Sequence, residues 1–161
     1  MINEAQTAIA ATDAVLGGSR SAYALCRPPG HHAYTDQAGG FCFLNNSAIA
    51  AQRLLEAGRR PVILDVDVQH GNGTQGVFYD RGDVLTVSIH ADPSAFYPFF
   101  WGYAGETGTG AGQGANLNLP LAMGSGTDAM LSALDTAFAK IEAFGADVIV
   151  VALGLDAHET D

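Results

Sequence analysis

The chain has 161 residues, 48% of them hydrophobic, which is enough for one core and too little for two. A net charge of −10, with Lys140 the sole lysine, argues against direct contact with nucleic acid and favours cationic partners. No apolar stretch is long enough to span a bilayer, no charged leader precedes an apolar run, and Cys26 and Cys42 lack the spacing of a disulfide scaffold; the expectation is a cytoplasmic protein with reduced thiols and no membrane partner.

The alanine-rich run from Asn3 to Leu16, with Ile9 and Val15, predicts a helix closed by Gly17-Gly18, and Ala22 to Cys26 predicts a short buried strand. Next come Arg27-Pro28-Pro29-Gly30-His31-His32-Ala33 and Gly39-Gly40-Phe41-Cys42-Phe43-Leu44-Asn45-Asn46. The prolines fix an irregular backbone and the glycines let it turn tightly, so the tandem histidines belong on a shaped loop. Adjacent imidazoles are general acid–base candidates, because their ordinary pKa lies near neutrality. Leu44 to Ala57 predicts a second helix, stopped by Gly58 and leading into Ile63 to Gly76, ILDVDVQHGNGTQG.

In that stretch Ile63, Leu64, Val66 and Val68 read as a strand, whose alternation puts Asp65 and Asp67 on one side. Two like charges beside a core are costly unless a cation or hydrogen-bond donors neutralise them. Capping of a following helix accounts for one carboxylate but not two, which points to a metal or catalytic site at a strand end. Val84 to His90 predicts the next strand. Residues 91–115, rich in glycine and aromatics, form a long loop expected to be a binding surface, with a return to the sheet at Asn116 to Leu119. Thr127 to Phe144 carries Met130, Leu131, Leu134, Phe138 and Ile141 at helical spacing and is ended by Gly145. Val148 to Asp156, VIVVALGLD, is an apolar strand running into Gly154 and a carboxylate. This alternation implies an α/β fold of three layers, a mainly parallel sheet with helices on both faces, and places Asp65, Asp67 and Asp156 at its carboxyl edge.

With RPPGHHA, GGFCFLNN, DVDVQHGNGTQG, SIHADPSAFYP and LGLD in this order, the chain resembles the zinc-dependent histone deacetylase and acetylpolyamine amidohydrolase superfamily over essentially all its length. The stretch DPSAFYPFFWGYAGE looks most like bacterial acetylpolyamine amidohydrolases. The resemblance implies an arginase/deacetylase-like fold and hydrolysis of an acetylated amine, polyamine or lysine-like, by metal-activated water. It makes Asp67 and Asp156 zinc ligands, with another divalent metal as the variant, and His31 and His32 the catalytic histidines. Asp65 then stands behind the first histidine and Asn72 behind the second. Gly40, Phe41 and Tyr97 fall where the tunnel for the acyl-amine is lined. Asp65, Asp67, Gln69, Ser88 and Ile89 match a monovalent-cation site, usually potassium.

Two departures accompany the match. Gln69 stands where the family's third zinc ligand is a histidine, and an amide oxygen is a weak zinc ligand beside imidazole. His70, next door, is expected to face the other way on a strand. The family domain also extends beyond both ends of this sequence, and none of Tyr23, Tyr34, Tyr79, Tyr97 and Tyr103 matches its oxyanion-stabilising tyrosine. Residues 1–161 are therefore expected to be the central part of a single deacetylase catalytic domain, weakly active alone and prone to self-association or homo-oligomer formation. The rival expectation is a catalytically impaired relative that binds acyl-amines. A dimanganese ureohydrolase is the weaker third, since its additional histidine and aspartate ligands are absent.

Overall fold

A computed structural model describes residues 2–158. Helix α1 (Ile2–Leu16) is followed by the histidine loop, α2 (Asn46–Glu56), β1 (Pro61–Asp65), α3 (Asn72–Phe78) and β2 (Leu85–Ala91). A long loop with one 3₁₀ turn at Gly110–Gly112 leads to β3 (Asn116–Leu121), α4 (Thr127–Phe144) and β4 (Val148–Ala152). The four strands form one parallel sheet in the order β3-β2-β1-β4.

The central strands β1 and β2 are buried on both faces apart from Ala91; β1 is a nearly continuous apolar run, whereas β2 alternates Leu85, Val87 and Ile89 with the buried polar Thr86, Ser88 and His90. One face packs Val62, Leu64, Leu85, Val87 and Ile89 against Ala133, Ala137 and Ile141 of α4. On the other, Ile63 and Val84 meet Ala48 and Ala51 of α2 and Phe78 of α3. Helices thus cover both faces, as the sequence predicts. The starts of β1 and β4 are tied together: Arg60 N–H donates to Asp147 Oδ1 at 2.8 Å, and the Arg60 guanidinium lies 4.2 Å from the centre of the Phe144 ring. None of the described helices is long and apolar enough to cross a membrane.

From β1 the chain moves outward through β2 to β3, then returns over the opposite face through α4 to place β4 on β1's other side. Strand order therefore reverses at β1, and the crevice between the carboxyl ends of β1 and β4 is where such sheets place their ligands.

Four expectations are corrected. Ala22 to Cys26 is not a buried strand: it is an apolar run, but among the described residues no strand lies beside it to complete a ladder, and Tyr23 and Leu25 are exposed. β1 ends at Asp65, so Asp67 sits in the bend beyond it and strand alternation does not set its direction. Leu131 and Phe138 are exposed; the small residues Ala133 and Ala137 bring α4 onto the sheet instead. No helical signal marks α3, whose Asn-Gly-Thr-Gln-Gly composition favours a turn. β3 also runs through Pro120, which an edge strand tolerates.

Ile63→Ala, at a fully buried central position, should cost about 2–5 kcal/mol of unfolding free energy, while Leu131→Ala should stay within about 1 kcal/mol. Urea unfolding of both variants checks the assignment of the core.

Candidate active site

Each histidine is held by its own partner at Nδ1. His31 Nδ1–H donates to Asp65 Oδ2 at 2.8 Å, and its Nε2 lies 3.9 Å from Asp67 Oδ1. His32 Nδ1 is 2.6 Å from Asn72 Oδ1, while the other end of that amide donates to the Tyr34 hydroxyl at 3.1 Å. With Asn72 Oδ1 facing His32, that oxygen accepts from Nδ1–H and leaves Nε2 with a free lone pair. The rings lie 4.0 Å apart between centres and are both buried.

The neighbours give them opposite characters. Burial lowers the His31 pKa, but the carboxylates of Asp65, Asp67 and Asp156 together outweigh it and the net shift is upward. For His32, burial and the nearby His31 push the pKa down to about 4, against the Asn72 hydrogen bond. His32 is therefore neutral at pH 7, and His31 is the more basic of the pair.

Three glycines allow α3 to lie flush against this loop. A Cβ on Gly71 would strike the Asp65 carboxylate, one on Gly73 the backbone of His32 and Ala33, and one on Gly76 the Tyr34 ring. Asn45 accepts from Ala48 N to cap α2 and donates to Ala33 O and Thr74 Oγ1, joining α2, α3 and the histidine loop. The sequence signal for Asn45 is its place just ahead of a helix; its second role had none.

At the strand-order reversal, Asp67 and Asp156 converge. Between them lies the Gln69 carboxamide, whose NH2 donates to Asp67 Oδ1 at 2.6 Å and Asp156 Oδ2 at 2.7 Å. The opposite orientation would press an amide oxygen against two carboxylate oxygens, with no proton between them. Gln69 N–H also donates to Asp67 Oδ1, and Val68 N–H to Asp156 Oδ1. Burial pushes the Asp67 carboxyl up, against the lowering pull of His31. A Cβ on Gly154 would collide with Asp67, so glycine is what admits the carboxylate beside β4.

These residues do not fit a zinc ion. A catalytic zinc takes three protein donors around one point, and here the third candidate is a neutral amide, a weak ligand for zinc beside imidazole. Among the described residues, no three His, Cys, Asp or Glu side chains are grouped to hold a metal ion. His70 is no substitute, and not for the reason that strand alternation suggests. It lies beyond β1, fully buried, with Nε2 on Gln75 Oε1 at 3.1 Å and its ring 4.6 Å from that of His90.

The remaining predicted residues are distributed around this centre. The Tyr97 ring stands edge-on to His32 with centres 5.0 Å apart, and its hydroxyl flanks Gly39. A Cβ on Gly40 would overlap the His32 ring, and Phe41, at φ 62°, is exposed. Asp65 and Ser88 are register partners, but the Ser88 hydroxyl is engaged with His90 Nδ1 at 2.8 Å; Ile89 is buried in the core.

The model of the histone deacetylase domain matches residues 2–161. The chain belongs to the histone deacetylase family. Within that family it is 55% identical over 160 residues to acetylpolyamine amidohydrolase 1 of Pseudomonas aeruginosa, covering 99% of this chain and 46% of that protein. It is 50% identical over 156 residues to the acetylpolyamine amidohydrolase of Mycoplana ramosa. Among solved structures, an acetylpolyamine aminohydrolase from Burkholderia pseudomallei superposes with a TM-score of 0.94 at 51% identity, over 98% of this chain and 46% of that one. A histone deacetylase homologue from Aquifex aeolicus superposes at 0.85 with 33% identity. The chain spans less than half the length of these relatives.

Stability should peak near pH 6.5. Below that, the unfolded chain protonates His32, His70 and His90, whose folded pKa values are lowered, to about 4 for His32 and about 3 for His70; each costs up to about 1.4 kcal/mol per pH unit. Above it, His31, raised in the fold, loses its proton and its share of stability. Urea unfolding between pH 5 and 8 tests this, and a flat profile contradicts it.

Proposed function

We propose that this chain carries the proton-transfer and acyl-amine-binding part of an amidohydrolase site for acetylated polyamines or lysine-like amines, with its metal-dependent step impaired by Gln69. The observation that carries the reading is the pair of histidines, oppositely tuned by Asp65 and Asn72, beside two convergent aspartates at the strand-order reversal. Relatives named acetylpolyamine amidohydrolases support the substrate class, and an acidic chain suits an amine.

In this reading His32, neutral with a free Nε2, accepts the proton of the attacking water, and His31 carries a proton toward the leaving amine. Asp65 and Asn72 hold the two tautomers. Tyr97 and Phe41, with the small Gly40, line the path of the acyl-amine. The resemblance gives the family metal, zinc or another divalent ion, to Asp67, Gln69 and Asp156 and a potassium ion to the surroundings of Asp65, Asp67, Gln69, Ser88 and Ile89; with Gln69 an amide, only Asp67 and Asp156 remain as strong donors. The free thiols of Cys26 and Cys42 suit a cytoplasmic setting. Gln69, bridging the two aspartates by hydrogen bonds, favours a second reading in which the protein binds acetylated amines without turning them over.

Gln69→His in the full reading frame decides between them. Zinc affinity should rise at least about 10- to 100-fold, and acetylpolyamine turnover should rise with it. Equal affinity and turnover in the two proteins would contradict the impaired centre, and failure of both to bind acetylpolyamine would contradict the substrate class.

A further inference from the structure

A buried polar layer beneath the long loop is not explained by the chemistry above. At its centre is Gln75, fully buried on α3. Its Oε1 accepts from His70 Nε2 (3.1 Å), Asn116 Nδ2 (3.0 Å) and Asn118 Nδ2 (2.8 Å). Those donors fix the amide's orientation, so its NH2 must face an acceptor. That acceptor is Glu106 Oε2, at 2.7 Å. The same oxygen accepts from Gly102 N–H at 2.9 Å and Asn118 Nδ2 at 3.3 Å. Gly102 is further fixed through its carbonyl on His90 Nε2 at 2.9 Å, and at φ +110° a Cβ there would strike the His70 and His90 rings.

Gln75 lies three residues after Asn72 on α3, hence on the same side of the helix. Asn72 grips His32, and Gln75 grips Glu106. The loop of residues 92–115 thus meets α3's partners twice, through Tyr97 packed edge-on to His32 and through Glu106 on Gln75. We infer that Glu106 is a positioning residue, which through Gln75 and the Gly102 amide sets the height of residues 97–106 above the histidine pair and so the width of the entry beside Tyr97. The link to substrate entry rests on the acyl-amine reading; the anchoring of the loop does not.

Trp101, the chain's only tryptophan, adjoins Gly102 and reports on the anchor independently of chemistry. Glu106→Ala removes the acceptor, whereas Glu106→Gln retains an oxygen for the same donors and loses only the charge. Removing a charged acceptor from buried donors costs about tenfold or more in the anchored population. Acrylamide quenching of Trp101 should therefore rise at least about twofold in Glu106→Ala, with acetylpolyamine binding weakened about tenfold, and Glu106→Gln should restore most of both. Gly102→Ala, which pushes the loop off His70 and His90 without touching the carboxylate, should reproduce the Glu106→Ala pattern and serves if that variant does not fold. Unchanged Trp101 quenching in Glu106→Ala and Gly102→Ala would overturn the inference, as would a Glu106→Gln variant as defective as Glu106→Ala. If the native protein binds no acetylpolyamine, the substrate reading fails, and the Trp101 comparison alone decides the anchor.

Discussion

The carboxylate of Asp65 is the contact on which this structure turns. It closes β1, with one oxygen accepting from His31 Nδ1 and the other from the Asp67 N–H as the chain bends away. A buried carboxylate must find such donors or lose its charge. By taking one from the histidine loop and one from the following bend, Asp65 fixes the tautomer of His31 and the course of residues 65–67 together. Gly71 leaves the room this requires. Asp65 also sits beside β2 and β4 in register with Ser88 and Ala152, so the sheet itself sets its position.

Helix α3 extends that constraint outward. It is too short and too rich in glycine to stand alone, and it persists because its polar side chains and its glycine-lined face are fully engaged. Asn72, Thr74 and Gln75 reach respectively the second histidine, the cap of α2 and the long loop. Between Asp67 and Asp156 a neutral amide occupies the position where the family pattern calls for a third ligand. Hydrogen bonds from its NH2 can hold the two carboxylates together there.

Much of this was legible in the residues. The helical spacing of Thr127 to Phe144 matches α4, and the apolar run that opens Val148 to Asp156 matches β4 up to Ala152, because periodicity and a closing glycine report local structure directly. The pairing of Asp65 with His31 and of Asn72 with His32 is what the family resemblance implies, and no local pattern shows it. The misses have a common cause: partners distant in sequence decided them. Ala22 to Cys26 is apolar enough for a strand but has no strand beside it among the described residues, and the face of α4 that packs is set by alanines rather than by its largest residues. Gln75 and Glu106 lie 31 residues apart, and neither carries a local signal that it needs the other.

The central claim is that Asp65 and Asn72 give two adjacent histidines opposite protonation behaviour. The direct measurement is an NMR titration of the His31 and His32 imidazoles in the metal-free chain, assigned with single-histidine variants. His31 should titrate above its ordinary value and His32 near pH 4, with Nδ1 protonated on His32 at neutral pH. Two overlapping transitions near pH 6.5, or His32 titrating above His31, would contradict the account.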